Sequence, residues 1–91
     1  MGMEEEFLWP LCQSCARPLI REKDFGTNAD GTRNEDYCSL CYQKGAFTQP
    51  AMTQGEMIEN VANQIILRTG MPRSSAEEIA RSVIPTLKRW R

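Results

Sequence analysis

Cys12-Gln13-Ser14-Cys15 and Cys38-Ser39-Leu40-Cys41 are two C-x-x-C pairs that together use every cysteine of the chain. Two thiols three positions apart reach one ion when a tight turn folds between them, and zinc(II) favours four soft ligands in a closed tetrahedron. The 22 residues between the pairs slightly exceed the usual ribbon spacing. The pattern predicts one structural Zn2+ per chain held by Cys12, Cys15, Cys38 and Cys41.

Other chemistries use the same residue type. Two disulfides require an oxidising compartment, and Met1 to Glu6 is acidic where an export signal is basic and then apolar. A redox C-x-x-C usually comes singly and near a βαβ pattern, whereas here it comes twice without one. Iron in a four-thiolate site needs the same ligands, so spacing alone leaves iron open.

Length and composition fit a small metal-stapled domain. In 91 residues with 41% hydrophobic content the core is limited. The cysteine-bearing segment has few large apolar side chains to offset an ordering cost of about 1.5 kcal/mol per residue. Structural zinc supplies about 10–16 kcal/mol in small modules. No apolar run approaches the roughly 20 residues of a membrane span. Met1-Gly2 is not followed by the Ser or Thr of a myristoylation signal, because Glu6 stands there. The expected location is cytoplasmic, with no membrane partner.

Working outward from the first pair, Phe7, Leu8, Trp9 and Leu11 form an apolar arm expected to lie against the metal module. Asp30-Gly31 is a turn dipeptide, and a β-hairpin bent there returns Cys38 to Cys12. Reading the same loop as a calcium site fails, because the first and twelfth ligand positions fall on Gly26 and Tyr37. Tyr42 to Gly45 is expected to form a single helical turn capped by Gly45. Phe47 and the Pro50 segment should then act as a connector.

These residues resemble a known family. Cys12, Cys15, Pro18, Leu19, Phe25 to Thr27, Asp30 to Thr32, Tyr37, Cys38, Cys41, Tyr42, Gly45, Phe47 and Thr48 form a run similar to the prokaryotic "putative zinc ribbon domain" family, over about residues 10–66. The resemblance implies a zinc ribbon with the four cysteines as ligands and implies little about activity. Family members usually have Gly-Met after the first pair, where this chain has Ala16-Arg17. Alanine is strained at positive φ, so a somewhat different turn is expected there.

The second half reads as helix. Thr53-Gln54-Gly55-Glu56 is a capping box, and Met57, Ile58, Val61, Ala62, Ile65 and Ile66 recur at helical spacing until Gly70 and Pro72. Ser74 and Glu77 repeat the capping signature. A second helix would set Ala76, Ile79, Ala80, Val83, Ile84, Leu87 and Trp90 on one stripe, with a kink or break near Val83 caused by Pro85. The expected fold class is α+β: a small zinc ribbon, built as a β-hairpin with two C-x-x-C knuckles, followed by a C-terminal antiparallel helix pair. The ribbon with its arm would occupy residues 1–50. The helix pair, residues 51–91, would pack on it as part of one domain.

Function is less legible. The chain has no histidine, and an ion with four cysteine ligands has no open position, so no enzyme is expected. Net charge is -1, but residues 1–67 carry ten acids and five bases, against two and six in residues 68–91. The ribbon is thus a poor phosphate-binding surface. The first reading is a protein interaction module, binding an unknown protein partner or a second copy as a homodimer, with Arg81, Lys88, Arg89 and Trp90 as candidate partner-binding residues. The alternative is nucleic-acid binding through Arg68, Arg73, Arg81, Lys88, Arg89 and Arg91 on a basic C-terminal helix. It is disfavoured because the cations scatter and no aromatic platform interleaves them.

Overall fold

The computed structural model of the chain describes residues 10–91. Phe7, Leu8 and Trp9 of the apolar arm, with Met1-Gly2 and the acidic run Glu4 to Glu6, lie outside the described residues. The chain divides into two compact units, with the boundary between Pro50 and Ala51.

The first unit is built from tight turns. Leu11 and Pro18 face each other across an antiparallel bridge around the first knuckle. Cys12 N–H donates to the Arg17 carbonyl at 2.7 Å, and Ala16 N–H to the Cys12 carbonyl at 2.8 Å. Ala16 has φ 68°, so the left-handed position is kept and alanine takes it under strain. A short 3-10 turn, Glu22–Asp24, follows; the Asp24 carboxylate accepts from the backbone N–H groups of Arg21 and Ile20 at 2.8 and 3.2 Å.

Strand β1 (Phe25–Thr27) pairs antiparallel with β2 (Arg33–Cys38), and the turn between them holds Asp30-Gly31 as expected. Asp30 Oδ1 accepts from Thr32 N–H at 3.0 Å and from its hydroxyl at 2.6 Å. The register breaks between Phe25 and Gly26, which oppose Cys38 and Asn34. Asn34 Oδ1 fills the resulting bulge by accepting from the N–H groups of Asp36 and Tyr37 at 2.8 and 3.0 Å. The bulge leaves the Asp36 carbonyl facing the first knuckle, where Gln13 N–H donates to it at 2.6 Å.

A second hairpin corrects two expectations. Tyr42–Gln43 is strand β3 and Ala46–Phe47 is strand β4, paired antiparallel, so there is no helical turn, and Phe47 is a strand residue rather than part of a connector. The two linking residues, Lys44 and Gly45, both have positive φ, 53° and 84°. That combination marks the mirror-image turn whose twist suits a two-residue hairpin. The turn rests on β1, because Lys44 N–H donates to Thr27 Oγ1 and Gly45 N–H to the Thr27 carbonyl, both at 3.0 Å. Gly26 lies so close beneath β3 that a Cβ would collide with the Tyr42 carbonyl. Tyr37, Tyr42 and Phe47 form a ring cluster with centroids 4.9–5.2 Å apart, a mutual contact that fixes β2 against the hairpin.

The second unit is a helix pair. Helix α1 (Gln54–Thr69) opens with the expected capping box: Glu56 N–H donates to Thr53 Oγ1 at 3.1 Å, and Thr53 N–H to Glu56 Oε1 at 2.8 Å. It ends at Gly70, left-handed at φ 75°. Helix α2 (Arg73–Val83) starts one residue before Ser74, because Pro72 takes the extended capping position, so Ser74 is not the cap. Glu77 instead bonds Arg73 and Arg81 at 3.5 and 3.3 Å. Arg73, at the start of α2, donates to Asn63 far along α1, whereas Gln54, at the start of α1, donates to the Trp90 carbonyl beyond α2. The helices therefore run antiparallel. Ala62, Ala76 and Ala80 are fully buried between them, with Ile58, Val61, Ile65, Ile66 and Met71 packed around.

The second helix stops at Val83, in line with the break expected from Pro85. Pro85 has no N–H and its ring clashes with the carbonyl four residues back, so Ile84–Thr86 tightens into a 3-10 turn and Leu87 is extended. Leu87 and Trp90 are accordingly not on the α2 stripe, and Lys88, Arg89 and Arg91 lie beyond the helix. Among the described residues no helix is long and apolar enough to cross a membrane.

Candidate metal centre

Each knuckle delivers its two sulfurs through backbone hydrogen bonds. In the first, the paired bonds around Cys12 and the left-handed Ala16 turn Cys15 back toward Cys12. In the second, Cys41 N–H donates to the Cys38 carbonyl at 3.1 Å, and Thr48 N–H to the Cys41 carbonyl at 2.9 Å. The β1–β2 hairpin then brings the knuckles together, and the sulfurs of Cys12, Cys15, Cys38 and Cys41 all lie within 4.8 Å of one another.

These distances fit a metal ion. Zinc–sulfur bonds of about 2.3 Å make a tetrahedron with edges of about 3.8 Å. The Cys15 and Cys38 sulfurs are 3.8 Å apart. Four thiols this close without a disulfide make a soft, closed donor set suited to zinc. Cys12, Cys38 and Cys41 are buried, and Cys15 is half-buried.

The chain belongs to the putative zinc ribbon domain family. The family model described as "Putative zinc ribbon domain" matches residues 11–91, so the match runs through α2 and beyond the 10–66 span suggested by the motifs. No curated protein matches the chain, and no solved structure does. In a zinc ribbon the ion replaces a hydrophobic core. Here Cys12, Cys15, Cys38 and Cys41 would hold such an ion between the two knuckles.

The four thiols share charge as one hydrogen-bonded set. The thiols of Cys15, Cys38 and Cys41 donate to Cys12 and hold its pKa far below the ordinary thiol range. Cys12 also accepts backbone N–H from Cys38 at 3.2 Å and Ser14 at 3.4 Å, which places negative charge there. Hydrogen bonding to Cys12 pushes Cys15 and Cys41 up, and burial adds to it. Cys38 is drawn down to about 7; its bond with Cys12 opposes this, and those with Cys15 and Cys41 outweigh it.

Sequence reading missed the shell behind these ligands. Ser14 is fully buried, and its hydroxyl hydrogen-bonds Cys41. The available signal was a serine between two ligands, where its short hydroxyl reaches the other knuckle. The candidate partner-binding residues are not assembled on one helix face. Arg81 lies on α2 beside Glu77, Lys88 is exposed past the helix, and the Arg89 guanidinium sits 4.4 Å from the half-buried Trp90 ring.

Proposed function

We propose that this chain is a zinc-stapled binding module for a protein partner, with one ion per chain and no catalytic role. The observation that carries the reading is the all-thiol ligand set, which leaves an ion no open position for water or substrate. A site of that kind shapes a surface. Supporting a protein partner, the ribbon exposes Leu11, Ile20 and Leu40, apolar side chains of the kind that anchor interfaces, and Leu40 lies within the second knuckle itself. One ribbon cation is already committed to acidic neighbours, since Arg33 bonds Glu22 at 2.9 Å and Glu35 at 2.7 Å.

The test is co-purification with zinc-loaded protein, repeated with Leu40→Ser and Trp90→Ala, alongside sedimentation for self-association and a heparin column. The reading expects a protein, or a second copy, retained by the wild type and lost with one variant. Retention on heparin that falls steeply with salt, without a protein partner, would replace it with the nucleic-acid reading.

A further inference from the structure

The four sulfurs differ in what surrounds them, and the difference bears on reactivity. Cys12 is wholly buried and receives backbone N–H groups from Ser14 and Cys38. Cys41 receives the Ser14 hydroxyl, and Cys38 is wholly buried. Cys15 is the most exposed of the four ligands, half-buried where Cys12, Cys38 and Cys41 are buried, and its sulfur contacts are with the other thiols, Cys38 lying 3.8 Å away. Hydrogen bonds to a thiolate draw off the charge that makes it nucleophilic, and burial shuts out reagents. A thiolate that is exposed and not stabilised by such donors is attacked first.

We propose that Cys15 is the oxidation site of the metal centre, and that peroxide converts the site to a Cys15–Cys38 disulfide that releases the ion. The Cys15 thiolate attacks one peroxide oxygen and the O–O bond breaks, giving Cys15 sulfenic acid and hydroxide. The Cys38 thiolate then attacks the Cys15 sulfur, forming the S–S bond and expelling a second hydroxide. Two thiolates lose two electrons and hydrogen peroxide gains them. The ion keeps only Cys12 and Cys41, a pair too few to hold it. Because the new bond joins the two knuckles, the oxidised ribbon stays cross-linked at the place where the metal had linked it, and reduction can restore the site.

The experiment treats zinc-loaded full-length protein with less than one equivalent of hydrogen peroxide. Released zinc is read with a chromogenic chelator, and disulfides by tryptic mapping with fragmentation of the linked peptides, which assigns the bonded cysteine of each pair. Cleavage after Arg21 and Arg33 separates the knuckles, so a cross-knuckle bond joins two peptides and an intra-knuckle bond does not. The expected result is zinc release in step with a first disulfide between Cys15 and Cys38. A Cys15→His variant, which keeps a metal ligand but removes the oxidisable sulfur, should release zinc at least about tenfold more slowly. A first disulfide within either knuckle, first oxidation at another cysteine, or release from the histidine variant at the wild-type rate would overturn the proposal. The wild-type map decides the matter even if the variant binds zinc poorly.

Discussion

Replacing Ala16 by glycine should tighten zinc binding. Ala16 sits at φ 68°, where a Cβ crowds the following carbonyl at a cost of about 1–2 kcal/mol, which glycine removes. Glycine also widens the unfolded ensemble, offsetting about 0.4–1 kcal/mol. The midpoints leave a net gain of about 0.8 kcal/mol, or roughly fourfold in an equilibrium constant, since 1.4 kcal/mol is tenfold. Metal binding is coupled to folding in a ribbon with so little core, so the gain should appear as apparent zinc affinity. The assay is competition against a chromogenic chelator at fixed pH. Valine at the same position supplies the opposite arm: a β-branched residue is a genuine outlier at positive φ, and affinity should fall about tenfold or more. Weaker binding by the glycine variant, or a valine variant equal to the wild type, would refute the claim that this knuckle is strained at Ala16.

Three further expectations rest on other parts of the molecule. Gly26→Ala should destabilise the ribbon by about 2–3 kcal/mol, seen as an earlier denaturant midpoint, because the added methyl meets the backbone carbonyls of Tyr42 and Cys38 and neither can swing away. Zinc affinity should fall with falling pH: Cys15 and Cys41, both raised, surrender protons to the metal near neutrality, Cys12 is already charged, and Cys38 takes up its proton below about 7. Chelator competition should therefore show affinity lost steadily as pH falls through neutrality; an affinity that does not change with pH would contradict it. Thr53→Ala should cost about 1 kcal/mol of helix-pair stability by circular dichroism, because it frees the Glu56 N–H bonded at 3.1 Å.

How far each element was legible depended on whether its signal was local. Four cysteines in matched pairs, Asp30-Gly31, the Thr53–Glu56 box and Pro85 act through their own neighbourhood, and each forms what its residues dictate. Lys44-Gly45 was misread because a lysine carries no sign of left-handed backbone; contacts with Thr27 hold it there, from 17 residues away. Ser74 carried a valid capping pattern, but Pro72 supplied an extended residue closer to the chain reversal and took the position. The apolar spacing continued to Trp90 past a proline that ended the helix, so the periodicity outlasted the structure it described. Within the site, the ligands were legible and their donors were not, since the Cys38 N–H to Cys12 bond joins residues 26 apart.

The most direct test of the account is metal-edge X-ray absorption on protein purified without chelator. A closed zinc site made by Cys12, Cys15, Cys38 and Cys41 predicts a zinc edge with four sulfur neighbours at about 2.3 Å and no lighter shell. An iron edge, or zinc with nitrogen or oxygen at about 2.0–2.1 Å, would contradict it, because the ion would then be a different one or keep an open position for chemistry.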